Sequence, residues 1–245
     1  MSILHDAMHF LDCINQVRTP DEMAETMAEI AQQLGFQYFA LTHHIAGAGQ
    51  AGIYIHNYPD RWAEFYAANA LSLSDPVHRA CHRASWGFRW AMMSSLIPMT
   101  RRDKEHLKRG CEAGIGDGYT VPVSVAGEAP GSCSFANATD LPIREDTLAA
   151  AQLVGAYAFH RARQLQSLRP LAAEKMAITD RQRDCVRWAA RGKSDWEISR
   201  ILGISKETAT SHIKGACARY QVHKRIALIG PMLDDGTLTI SDLVP

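Results

Sequence analysis

Residues 178–225, ITDRQRDCVRWAARGKSDWEISRILGISKETATSHIKGACARYQVHKR, hold the pattern that most constrains what this chain can fold into. It predicts three short helices divided by two tight stops. Thr179 and Gln182 form a T-x-x-Q capping box, which satisfies backbone N–H groups at a helix start. Cys185, Trp188 and Ala189 give an apolar face at i, i+3 and i+4, and Gly192 supplies a left-handed exit. Ser194 and Glu197 make a second box, followed by Ile198, Ile201 and Leu202 at helical spacing. Gly203 gives the next turn and Ser205 the next N-cap. In the third helix Ala209, Ile213, Ala216, Cys217 and Tyr220 face inward, while Lys206, Thr210 and Lys214 form an outward stripe. Capped helices with basic surface residues also suit an ordinary three-helix bundle. The glycine turn and the polar stripe together favour a helix-turn-helix, whose second helix enters the major groove of double-stranded DNA. The DNA contacts are expected from Lys193, Ser194, Ser205, Lys206, Thr208, Thr210 and Lys214.

Charge is distributed to match. The formal net charge is zero, but residues 1–170 hold 14 basic and 17 acidic side chains, and residues 171–230 hold 12 and 6. A basic block on the helix-turn-helix is what a phosphate backbone selects. The hydrophobic share of 47% is ordinary for a globular protein. No apolar run approaches the roughly twenty residues of a membrane span. The stretch MSILHDAMHFLDCINQV lacks a basic leader and does not read as a secretory signal. The six cysteines are scattered without a C-x-x-C pair, which suits a reduced cytoplasm better than a disulfide framework.

Ahead of the basic block the chain reads as α+β. Residues 2–17 suit a helix, and Thr19-Pro20-Asp21-Glu22 opens another with N-cap, first-position proline and a box-closing Glu. Strands are expected over 36–45 and 51–57, and helices from Pro59, Pro76 and Arg101. Residues 119–125 and 132–138 suit a hairpin about Ala126-Gly127-Glu128, and 143–168 a long Ala-rich helix. The fold class is thus an α+β domain, an α-β-α sandwich with about five antiparallel strands, followed by an all-α helix-turn-helix domain of four helices. Pro170 breaks the pattern, which places domains at 1–168 and 178–245 with a linker at 169–177.

Residues 57–90 concentrate Tyr58, Trp62, Tyr66, Trp86, Phe88 and Trp90 around a single carboxylate, Asp75. Aromatic residues at helical spacing usually build core, and Asp75 before Pro76 is a ready N-cap. The same residues also offer ring walls with polar tips, suited to a small amphipathic ligand with an amide and a carbonyl. His43 and His44, adjacent on a strand, point to opposite faces and cannot chelate one ion. His78 and His82, at i and i+4, have no evident third ligand, so neither metal nor cofactor is expected.

Two sets of residues carry a resemblance. Thr179, Gly192, Lys193, Ile198, Leu202, Gly203, Ile204, Ser205, Thr208, His212 and Val222 match the C-terminal domain of LuxR-type transcription regulators. That family usually has Glu where this chain has Gln182, which keeps the cap and loses a charge favoured at a helix N-terminus. Tyr58-Pro59, Trp62, Tyr66, Asp75-Pro76, Trp90, Gly118 and Pro122 resemble the autoinducer-binding domain of the family's quorum-sensing receptors. The resemblance implies an N-acyl-homoserine lactone as ligand. Trp62 would meet the lactone carbonyl and Asp75 the amide N–H. Tyr58 and Ser134 would meet the acyl carbonyl, with Tyr66 and Trp90 packing the ring. It implies a cytoplasmic, non-enzymatic regulator that binds promoter DNA as a homodimer and acts on RNA polymerase, with no membrane partner. The alternatives are an orphan regulator sensing a non-lactone metabolite, or a lactone hydrolase fused to a DNA-binding domain. Against the hydrolase, no nucleophile–base pair is visible.

Overall fold

The computed structural model describes residues 3–45, 52–125, 129–166 and 178–243. The expected linker, 169–177, and the hairpin tip, 126–128, lie outside the described residues. The chain divides into two compact units, residues 1–124 with 129–168 and, C-terminal to them, residues 169–245.

The N-terminal unit opens with α1 (Ile3–Gln16) and α2 (Pro20–Gln33). Thr19 caps α2 by accepting the Glu22 N–H. The Glu22 carboxylate, however, accepts the N–H of Arg18 at 2.7 Å rather than that of Thr19, so the expected box is displaced by one residue. Strands β1 (Tyr38–His43) and β2 (Tyr54–His56) follow, then α3 (Asp60–Ala68), a 3-10 turn Leu71–Leu73 and α4 (Pro76–Cys81). Next come β3 (Phe88–Arg89), a 3-10 turn Trp90–Met92, α5 (Met93–Leu96), α6 (Arg101–Glu112), β4 (Asp117–Val123) and β5 (Gly131–Asn137). A 3-10 turn, Glu145–Thr147, leads into α7 (Leu148–Leu165). The two-residue β3 is too short for an alternation signal and was not expected from sequence.

The five strands run in the order β2-β1-β5-β4-β3, every neighbour antiparallel. Strand periodicity sorts the side chains onto two faces. Phe39, Leu41, Val121, Cys133 and Phe135 join α1, α2 and α7 in the main core. Ala40, Thr42, Thr120 and Ser134 fall on the other face. All seven residues of β5 are buried, because this central strand is covered on both sides. Burying the aliphatic and aromatic side chains of that core stabilises the unit at about 25 cal/mol per Å² of apolar surface. The polar second face is what leaves room for a site.

The C-terminal unit holds α8 (Asp180–Ala190), α9 (Asp195–Leu202), α10 (Lys206–Arg219), a 3-10 turn Arg225–Leu228 running into α11 (Ile229–Asp234), and α12 (Ile240–Leu243). Both capping boxes form as the sequence predicts. Gly192 and Gly203 take positive φ, 81° and 65°, and the turn between α9 and α10 depends on the second. Cys185, Ile198, Ala209 and Ile213 pack one core, and Val186, Ala216, Tyr220, Leu228 and Met232 a second. Ile201 does not join them. It is 44% exposed, since α9 turns Ile198, Ser199 and Leu202 inward.

Candidate ligand pocket and nucleic-acid interface

The polar face of the sheet and the helices α3, α4 and α6 enclose a cavity. Tyr58, Trp62, Tyr66, Asp75, Trp90 and Ser134, all singled out from sequence, line it together. Asp75 is 7% exposed and uses its two oxygens differently. One accepts the Val77 N–H at 2.8 Å and so caps α4. The other accepts the Tyr66 hydroxyl at 2.7 Å. The N-cap and the pocket acceptor are therefore one carboxylate, not alternatives. Burial opposes its ionisation, but His78, His106, the Tyr66 hydroxyl and the Val77 N–H outweigh burial and hold it below the usual carboxylate range. Burial and the Asp75 charge push the Tyr58 and Tyr66 hydroxyls far up, so both remain protonated donors.

Trp90 is positioned by two features. A Cβ at Gly118 would lie 2.4 Å from its ring, so only glycine lets the indole lie against β4. This is a packing role. The Trp90 N–H donates to Thr120 Oγ1 at 2.8 Å, and Thr120 Oγ1 lies 2.8 Å from Ser134 Oγ. With Thr120 accepting from the indole, its own proton can go to Ser134, which frees the Ser134 proton for the cavity. By contrast, neither the Trp62 indole N–H nor the Tyr58 hydroxyl has a hydrogen-bond partner among the described residues.

Sequence reasoning missed Thr120 and His106, and weighed His78 only as a metal ligand. Thr120 was legible through strand alternation, two residues from Gly118 on the same face. His106 was legible through helix period: Asp103, His106, Leu107 and Gly110 form the inward stripe of an otherwise charged α6. His78 Nε2 and His106 Nε2 lie 3.9 and 3.8 Å from Asp75 Oδ2. His44 stacks on His78, with ring centroids 3.8 Å apart. Burial, with His78, His82 and His43 nearby, pushes His44 down to about 2, so it is neutral. No group of three or more His, Cys, Asp or Glu able to hold a metal occurs among the described residues. The outer wall is clamped by Arg79, which donates to both oxygens of the buried Asp103 at 2.8 and 2.9 Å and so ties α4 to α6.

In the C-terminal unit, Ser205, Lys206, Thr208 and Lys214 are exposed along α10, and Ser194 is exposed at the start of α9. Lys193 is half-exposed and pairs with Glu197 at 3.4 Å. Thr210 departs from the expected stripe. It is half-buried, with its hydroxyl 2.7 Å from Asp195 Oδ2, and so packs against α9. Asp195 also accepts from Arg225 Nη1 at 3.0 Å. Lys206 and Lys214 of the expected stripe are exposed, and Glu207, Ser211 and Ala218 extend the exposed face beside them.

A small-molecule cavity in one unit and a capped helix-turn-helix in the other define a ligand-responsive DNA-binding regulator, and comparison with known proteins gives its family. Residues 19–162 match the autoinducer binding domain, and residues 176–230 match the luxR family of bacterial regulatory proteins. The chain belongs to the LuxR-type quorum-sensing transcription regulators, a family of regulators and not of enzymes. It is 26% identical over 238 residues to the quorum sensing-dependent regulator RpaR of Rhodopseudomonas palustris, covering 96% of this chain and 95% of that one. It is 25% identical over 242 residues to the activator LuxR of Aliivibrio fischeri, covering 93% and 92%. The structure of Escherichia coli SdiA shares the fold with a TM-score of 0.64 at 21% identity, covering 96% of this chain and 99% of that one. SdiA has also been solved in complex with octanoyl-rac-glycerol. No helix among the described residues is long and apolar enough to cross a membrane.

Proposed function

We propose that this regulator is cytoplasmic, binds an N-acyl-homoserine lactone in the cavity and binds double-stranded promoter DNA as a homodimer. One observation carries the ligand reading: two donors without partners among the described residues, Trp62 N–H and Tyr58 O–H, line the same cavity as a carboxylate with spare acceptor capacity. A lactone carbonyl, an acyl carbonyl and an amide N–H complement that set. Trp62 donates to the lactone carbonyl, Tyr58 and Ser134 to the acyl carbonyl, and Asp75 accepts the amide N–H. Tyr66 holds Asp75 and, with Trp90, walls the ring.

Ligand that binds only the folded sensor stabilises it, which links signal level to the amount of competent regulator. The sensor occupies 1–168, a linker 169–177 and the DNA-binding head 178–245, with two heads reading two half-sites. Ser205, Lys206, Thr208 and Lys214 face the groove. Lys193 and Ser194 hold phosphate at the start of α9, and Thr210 acts through Asp195. RNA polymerase is the partner downstream. The rival reading is a non-lactone acyl ligand, such as the acylglycerol named for SdiA.

Mass spectrometry of material extracted from purified protein, after growth with a mixed lactone pool, tests the ligand. A lactone recovered at one per sensor supports the reading. A hydroxylated acyl compound without a lactone ring in its place transfers the site to the rival.

A further inference from the structure

We propose that the pocket reads a hydroxyl on the acyl chain close to the amide, through His78 and His106, so that the preferred signal is a 3-hydroxyacyl rather than a 3-oxo or unsubstituted lactone. This rests on the lactone reading above. Around the cavity, the aliphatic side chains among the described residues are those of Ala40, Val77, Leu107 and Ile115, and His78 and His106 add imidazoles. A saturated chain running past His78 and His106 would leave both imidazoles unpaired, which costs free energy.

The two imidazoles have distinct chemistry. His78 Nδ1 lies 3.3 Å from the Ser72 carbonyl oxygen. A carbonyl only accepts, so Nδ1 carries the proton, and in the neutral ring Nε2 is a bare acceptor. That acceptor lies 3.9 Å from Asp75 Oδ2, itself an acceptor. Two acceptors so disposed call for a ligand donor between them. The amide N–H is already assigned to Asp75, so His78 needs a second donor within a few bonds of it.

His106 completes the set. Its side chain is 9% exposed, it makes no hydrogen bond among the described residues, and its Nε2 lies 3.8 Å from the same oxygen of Asp75. The ring stands edge-on to Trp62 and Tyr66, with centroids 5.6 and 6.0 Å away, which fixes its orientation in the wall. It is free to donate. A hydroxyl is the group that both donates to His78 and accepts from His106. A keto oxygen serves only His106, and a methylene serves neither. A chain oxygen at the third carbon is the acyl substituent within reach of an amide held at Asp75.

The test is calorimetric titration with three lactones of equal chain length: 3-hydroxy, 3-oxo and unsubstituted. The expected order of affinity is hydroxy over oxo over unsubstituted, with about tenfold between the first and last, the scale of one net hydrogen bond. His106→Phe and His78→Phe, which keep an aromatic ring in place, each collapse that ratio toward one. Equal affinities, a tighter unsubstituted or 3-oxo ligand, or a ratio unchanged in both variants overturns the proposal while the lactone reading stands. Failure of all three lactones to bind overturns the lactone reading and this inference with it. If a variant does not fold, the wild-type order alone decides.

Discussion

In the N-terminal unit the polar groups of interest lie under a sheet, in contact with rings and imidazoles, whereas in the C-terminal unit they stand on an exposed helix face. Different forces hold the two sets. Asp75 is kept ionised in a buried site by Tyr66, Val77 N–H and two neighbouring histidines. Lys206 and Lys214 need no such support, because water solvates them. On the proposed reading the pocket therefore carries its function and its stability on the same atoms, whereas Lys206 and Lys214 of the head keep them apart. Substitutions in the pocket should move both quantities, and substitutions on α10 only one.

The contrast breaks most visibly at the clamp between α4 and α6. Arg79→Ala leaves the buried Asp103 carboxylate with only its Thr100 bonds. We expect about 3 kcal/mol lower stability, read by urea unfolding, together with loss of ligand binding; a loss under 1 kcal/mol would show the clamp to be ornamental. Asp75→Asn sharpens the point. An amide cannot accept from both Val77 N–H and Tyr66 O–H as two carboxylate oxygens do. Stability without ligand should fall by about 1 kcal/mol, and lactone affinity by about 1.5–3 kcal/mol. Full affinity with lowered melting would leave Asp75 a cap alone.

Acid gives a further separation. His44 is neutral when folded, with its pKa pushed down to about 2, and takes a proton near pH 6.5 when unfolded. Its contribution is present above pH 6.5 and is lost as the pH falls below it, by about 2 kcal/mol at pH 5. His44→Asn should flatten the stability of the sensor between pH 7.5 and 5, measured by urea titration across pH; an unchanged slope would assign the acid sensitivity elsewhere. In the head the two effects divide. Lys214→Ala should weaken operator binding by about 1–3 kcal/mol if it reaches a base edge, with melting unchanged. Thr210→Val should cost about 1 kcal/mol of stability through the lost bond to Asp195. Fluorescence anisotropy beside thermal melts distinguishes them, and a Lys214 variant that melts early would dissolve the contrast.

The same contrast explains what could be read from the chain itself. Caps, glycine exits and helix faces are local, so Thr179 with Gln182, Ser194 with Glu197, and Gly203 were legible at their positions. Thr210 was misplaced because helical period gives a face only to within a residue, and the bond to Asp195 that turns it inward joins two helices. In the sensor Tyr58, Trp62, Tyr66, Asp75 and Trp90 left a compositional trace as aromatic side chains around a lone carboxylate, whereas Ser134 came only from the family resemblance; all six line the cavity. His106 left no such trace among the charged neighbours of α6, and only helix period, which sets it on one face with Asp103, Leu107 and Gly110, makes it legible. Strand β3 escaped for a similar reason, because two residues hold no alternation.

Asp75 has a consequence for how such a receptor changes over generations. One oxygen begins a helix and the other holds the Tyr66 hydroxyl in the pocket wall, so a lineage that alters this side chain weakens the fold and, on the proposed reading, signal recognition in a single step. Drift in signal preference must then travel through positions that carry no such double duty, among them Val77, Leu107 and Ile115. A carboxylate shared between architecture and ligand acts as a fixed pivot, around which a population can try new dialects while the word for "signal" stays the same.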